Sequence, residues 1–307
     1  MNGDGTMFRN KAGQIRSGWK ILIVMVVIFA MLQASFLIFD RLATFYIRAT
    51  AFGSQEIMAE KRSEIYDLWF IPLFIVQEII MIAVPIFMWK VIGKRSLADM
   101  GLSSIKKHEK ELGMGLMLGI VSITLVFVIL VSTGNARVTS WKPTFSVDTI
   151  SYLVLFIMVG IAEEVLGRGY MMSVLRQTKS MPVIVSVSGA IFSLIHMGNS
   201  GFAMIPFINI FLVGMLFAYM YLKSGNIWMP IGYHITWNYF QGNVYGFLVS
   251  GLETQGIITT ELSKHNIING GDFGPEGGLA VTAIILMGFI FVKGYYQKKS
   301  FHFLEME

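Results

Sequence analysis

Apolar residues run along this chain in long blocks, separated by short stretches of charge, glycine and proline. About 20 consecutive apolar residues suffice for an α-helix to cross the hydrocarbon core of a bilayer. Eight blocks approach or reach that length, roughly 21–39, 69–89, 112–132, 148–167, 183–199, 204–222, 227–250 and 279–296. Pro182, Pro206 and Pro230 lie near the starts of their blocks, where proline suits a first helical turn. Gly225-Asn226 predicts a tight turn between the sixth and seventh. The pattern predicts an all-α fold, a polytopic membrane helical bundle of about eight transmembrane helices. Residues 1–110 supply N-terminal helices and loops, and 111–307 supply the core of the same integral bundle.

Composition agrees with this picture. Of 307 residues, 54% are hydrophobic and 14% charged, with mean hydropathy +0.64; soluble chains run near 45–50% and about 25%. The length suits one compact bundle. The net charge of +5 is not gathered on a basic face with interleaved aromatics, so nucleic acid is excluded as a partner. Cysteine is absent, which removes disulfides, thiolate nucleophiles and cysteine metal sites. The first block is too long for the apolar core of a cleaved leader, and Ala30 to Ala34 is a poor cleavage pattern, so an uncleaved signal anchor is expected.

Loop cations set orientation. With eight crossings, one side holds the N-terminus, the 90–111 loop, the 168–182 region, Lys223 and the C-terminal tail, with 17 Lys and Arg in all. The other side holds seven: Arg41, Arg48, Lys61, Arg62, Arg137, Lys142 and Lys264. Both termini are therefore expected in the cytoplasm of a bacterial cell membrane. The 40–68 segment, charged in both signs, predicts an external helical hairpin or an amphipathic helix. The 251–278 loop ends in a glycine-rich run, Asn269 to Gly278, which reads as tight turns; a phosphate cradle would need a following Lys-Ser or Lys-Thr.

The chemistry is concentrated in the later blocks. Glu163 and Glu164 sit side by side with Arg168 close behind, inside apolar sequence. Ionisable groups at membrane depth are costly and mark function by default. Glu164 and Arg168 are four apart, on one helix face, and can pair. Glu163 points about 100° away and is free to face a cavity and accept a proton. Phe192 with His196, and His234 with Asn238, repeat the four-residue spacing, and Tyr233 and Trp237 flank the latter pair. Carboxylates and imidazoles inside a membrane protein point to water activation. Glu164 lies 16 residues before the turn near Ser180 and His196 16 after it, so a helical hairpin sets them level. His234, soon after the Gly225 turn, is expected at a shallower depth.

Taken in order, Glu-Glu-x-x-x-Arg, Phe-x-x-x-His and His-x-x-x-Asn on successive apolar blocks resemble the CPBP family, the CAAX proteases and bacteriocin-processing enzymes also called Abi proteins. The resemblance covers roughly 148–250 and implies an intramembrane endopeptidase acting on a membrane-associated peptide or protein. It implies that Glu163 is the general base, assisted by His196, and that His234 and Asn238 hold the oxyanion. A leader, pheromone or bacteriocin peptide, reached from the cytoplasmic half, is the substrate class expected. Zn²⁺ is a candidate cofactor, with Glu163, His196 and His234 as ligands and a fourth position for water; without it no cofactor is expected. Two rivals stand beside this reading. One is a non-catalytic scaffold or bacteriocin self-immunity protein of the same fold. The other is a transporter, which predicts an inverted repeat that this sequence does not display. His108, His265 and His302 fall in loops or the tail and receive no role. Glu78, alone in the second block, reads as a bundle-facing polar contact. Gly115 and Gly119 form one small-xxx-small packing signal.

Overall fold

A computed structural model describes residues 6–10, 12–50, 54–141, 147–264, 266–297 and 301–305, with only the backbone at Asp148. Lys11, Lys142, His265, Lys298 and Lys299, which entered the sequence reading, lie outside the described residues, as does the 51–53 tip of the predicted hairpin.

Among the described residues, the chain is a membrane bundle of α-helices with one small sheet. The helices are α1 (Ser17–Thr50), α2 (Gln55–Phe87), α3 (Glu109–Ser132), α4 (Val147–Glu164), α5 (Met172–Leu175), α6 (Met181–Ile195), α7 (Met204–Ser224), α8 (Trp228–Tyr239) and α9 (Leu279–Tyr295). Among the described residues, five runs are long and apolar enough to cross a membrane: Ser17–Thr50, Gln55–Ile92, Glu109–Ser132, Thr149–Thr178 and Met204–Ser224. Met181–Ile195 and Leu279–Tyr295 are shorter apolar helices. β1 (Ala136–Trp141) pairs antiparallel with β2 (Ile258–Leu262), a feature outside the all-helical expectation. Val138 and Thr139 favour extended backbone, and Arg137 caps the pairing with an ion pair to Glu261 at 2.7 Å.

The loops gather at two ends. At one, Gln177 bonds Gln14 at 3.3 Å, Lys179 Nζ donates to Leu304 O at 3.3 Å, and Trp228 Nε1 donates to Ser103 O at 2.9 Å. His108 Nδ1 lies 3.1 Å from the Asn226 amide, a fastening of the α7–α8 turn; His302 pairs with Glu305 at an exposed site. At the other end, the sheet meets the loop beyond α8, where Asn266 donates to Asn135 at 2.9 Å. Gly225, with φ +78°, closes the last turn of α7 in the left-handed conformation that glycine allows.

Two local features set up the interior. First, α4 does not stop near residue 167. It continues through a π turn, Val165–Met171, into α5, because Arg168 is neutralised inside the bundle instead of ending the helix at the surface. Second, α3 and α8 cross at backbone contact. A Cβ on Gly115 would strike the Met229 carbonyl, and one on Gly119 the Tyr233 carbonyl and Thr236 hydroxyl. The small-xxx-small signal thus marks the crossing that holds α8 in place.

Candidate active site

α4 presents Glu163 and Glu164 to different surroundings. Glu164 is fully buried, and its Oε1 accepts from Arg168 Nη1 at 3.0 Å. Arg168 Nη2 donates to Gly214 O on α7 at 3.2 Å, and its guanidinium lies 4.2 Å from the Phe192 ring centroid and 5.0 Å from that of Phe217. Glu164 Oε1 also lies 3.2 Å from His234 Nδ1, a bond that the i,i+4 spacing does not reveal. Glu163 instead lines a cavity of about 320 Å³. Its Oε2 is buried without a hydrogen-bond partner, 3.9 Å from the Nε2 atoms of both His196 and His234.

The two rings are held from behind. His196 is the C-cap of α6, and its Nδ1 lies 2.8 Å from Phe192 O. A carbonyl only accepts, so Nδ1 carries a proton, and Nε2 faces Glu163. His234 is gripped at Nδ1 by Glu164 and also turns Nε2 toward Glu163. Asn238, one turn further along α8, lines the same cavity and is buried.

His234 is therefore level with Glu163 and Glu164, not shallower. The reason lies in the loop before α3. Asp99 O accepts from Ser173 and Arg176 of the extended fourth helix, while Gly101 O accepts from Ile227 at the α7–α8 turn. That turn sits about level with Ser173–Arg176, recessed from the end of the fourth helix, so a few turns of α8 bring His234 to the carboxylates. The same contacts close this end. The cavity runs from the motif residues to Asn199, Ser200 and Val249–Leu252, loops of the end opposite the termini. Entry from the termini end, the cytoplasmic half of the sequence reading, does not match this cavity.

Residues 145–240 match the model of the Rce1-like family, described as type II CAAX prenyl endopeptidase Rce1-like. The chain carries a CPBP-family domain. Among curated proteins none matches the chain. The CPBP match begins just before α4, ends at the start of the π turn after α8, and takes in Glu163, Glu164, Arg168, His196, His234 and Asn238. It places the protein generally among intramembrane endopeptidases, in a lipid bilayer with a peptide or protein substrate.

Donors around a tetrahedral zinc with bonds near 2.0–2.1 Å lie about 3.3 Å apart. The 3.9 Å separations from Glu163 to the two rings are wider, and among the described residues no group of three His, Asp or Glu is placed to hold a metal ion. The candidate set of Glu163, His196 and His234 does not fit zinc as it stands. Sequence reasoning missed other polar residues on the cavity: Asn199, Asn209, Ser250 and Glu276. Asn209 carried a signal, a lone amide within the sixth apolar block. Glu276, inside a glycine-rich turn, carried none. Glu78 is buried on α2, one turn past the cavity-lining Phe74.

Proposed function

We propose that this protein hydrolyses a peptide bond of a membrane-associated peptide or protein by direct attack of water, with Glu163 as general base. The observation that carries this reading is the unpartnered, buried Glu163 oxygen facing two imidazole nitrogens on the wall of a cavity. A water held there donates one proton to Glu163 and the other to His196 Nε2. As its oxygen attacks the carbonyl carbon, Glu163 takes the proton and the carbonyl oxygen becomes an oxyanion. The Asn238 amide donates to that oxyanion. His234 donates to it only as an imidazolium, with Nδ1–H on Glu164 and Nε2–H toward the substrate. Collapse of the intermediate breaks the C–N bond, and Glu163 passes its proton to the leaving amine. Glu164 and Arg168 position His234 and do not touch substrate. The apolar walls, among them Phe70, Phe74 and Phe156, suit a hydrophobic or lipid-carrying stretch of substrate.

The loop cations favour termini in the cytoplasm of a bacterial cell membrane; in that orientation the cavity faces the outer half of the bilayer. A secreted leader, pheromone or bacteriocin peptide suits that side. The decisive test compares membrane peptides from cells making wild-type or Glu163→Gln protein. Fragments present only with wild type support the reading. Identical peptide profiles from equal amounts of folded protein sink it and favour the scaffold. Metal analysis of purified wild-type and His234→Ala protein, with single-turnover cleavage, tests the zinc alternative. Stoichiometric zinc lost in the variant would restore it. Reporter fusions at residues 60 and 265 and at the C-terminus test orientation; a cytoplasmic signal at 60 or 265 overturns it.

A further inference from the structure

The cavity carries a second polar centre outside the family motifs. Glu276 lies in a one-turn 3₁₀ segment, Pro275–Gly277, and is buried. Its Oε2 accepts from the Ser250 backbone N–H at 2.6 Å and the Ser250 hydroxyl at 2.7 Å, and its Oε1 from the Trp237 indole N–H at 3.3 Å. The backbone around it is fixed as well: the Asn209 amide donates to Glu276 O at 2.8 Å and Gly278 O at 2.9 Å, and Asn209 Oδ1 accepts from Thr282 at 2.6 Å.

Every one of these donors is neutral. Among the described residues lining the cavity there is no lysine or arginine, and Arg168 of the motif helix is committed to Glu164 and Gly214. A carboxylate removed from water regains most from an opposite charge, and charges interact strongly where the surroundings are apolar. Trp237, which holds Glu276, lies between His234 and Asn238 on α8. The carboxylate is thus tied through one indole to the groups that would face the scissile carbonyl.

We infer that Glu276 is a specificity-determining residue, receiving the ammonium or guanidinium of a basic residue that lies within a few positions of the cleaved bond. This rests on the protease reading of the cavity. The same negative charge disfavours a carboxylate of the substrate beside Glu276.

The test uses full-length protein in nanodiscs of zwitterionic phosphatidylcholine, which removes general attraction of cations to the membrane. The probes are N-palmitoylated fluorescent peptides that differ only by one lysine scanned through six positions, with norleucine at the same positions as the control. The best lysine peptide should bind wild-type protein about 10-fold more tightly than its norleucine partner. Glu276→Gln keeps an accepting oxygen for the two Ser250 donors and gives up the 3.3 Å bond from the Trp237 indole; it should lose that difference, the lysine and norleucine peptides then binding alike. Equal wild-type affinities for every pair overturn the inference without recourse to any variant. So does an undiminished lysine preference in a folded Glu276→Gln protein. Cleavage of the same peptides separates the two readings. Glu163→Gln protein that still cleaves defeats the mechanism and leaves the charge preference standing, whereas wild type that cleaves but shows no lysine preference defeats the charge preference alone.

Discussion

The α1–α2 hairpin and the later bundle around α4 and α7 are both apolar, yet they handle polarity in opposite ways. The most apolar windows of α1 and α2 are each 17% buried, those of the fourth helix and α7 each 50%. The hairpin turns Phe29, Leu37, Leu42 and Phe45 outward and keeps its ion pair, Arg62 to Asp40 at 3.1 Å, at an exposed position. The bundle encloses Glu164, Arg168, His234 and Asn238. Apart from Glu78, buried within α2, the hairpin carries its charges toward its ends; the apolar sequence that builds the site buries them and must satisfy them internally.

The largest effect expected from this contrast is on chemistry. Glu163→Gln should lower cleavage by about 10²- to 10⁴-fold, the range for a positioned general base, while the protein folds normally, because Glu163 Oε2 has no hydrogen-bond partner to lose. Single-turnover cleavage and thermal unfolding of the purified variant check both halves. Loss of fold along with activity would place Glu163 in the structural cluster with Glu164.

Glu164 should respond the other way. It ties Arg168 and His234 together with no exposure to solvent. Breaking a buried pair by removing one partner costs about 3–5 kcal/mol, so Glu164→Gln should sharply lower the yield of folded protein. Replacing both members, Glu164→Leu with Arg168→Met, should recover much of that yield, since no charge is left unpaired. The double variant should still cleave poorly, because His234 loses the group that orients it. A double variant no better folded than the single one would show that the pair is not the source of the loss.

Asn238 tests the oxyanion role. Asn238→Ala should reduce kcat by about 100- to 1,000-fold, as for loss of one such donor, with KM little changed. A rise in KM at unchanged kcat would make Asn238 a substrate-binding residue instead.

Why one half of the molecule could be read further than the other follows from these contacts. Hydropathy alone locates α1, α2 and α3, because each is a long apolar run with much of its apolar surface turned outward. For the fourth helix it misplaces the end, since Arg168 looks like a boundary until its bond to Glu164 is known. The motif residues could be found because helical spacing puts each pair on one face. The depth of His234 could not, because it depends on the 97–103 loop wedged between the fourth helix and the α7–α8 turn. Glu276, Ser250 and the two short strands depend on loop conformation, which carries no period.

The smallest effect belongs to the hairpin. Asp40 accepts from Arg62 at 3.1 Å and from the Tyr66 hydroxyl at 2.7 Å, and Arg62 also donates to Thr44 at 3.0 Å. This looks like a network comparable to the one around Glu164, but about half of the Arg62 side chain is exposed. Water competes for each bond, and exposed pairs contribute about 0–1 kcal/mol. Asp40→Ala should therefore change stability by less than about 1 kcal/mol. Cleavage should stay within about twofold of wild type, since Asp40 and Arg62 do not line the cavity and a factor of two is only about 0.4 kcal/mol. The hairpin does reach the cavity, through Phe70 and Phe74 on α2, and those side chains lie one and two turns beyond Tyr66. If Asp40→Ala leaves folding intact and yet cuts cleavage tenfold, the upper hairpin is setting the position of those rings, and the division between a spanning half and a catalytic half must be redrawn to include it.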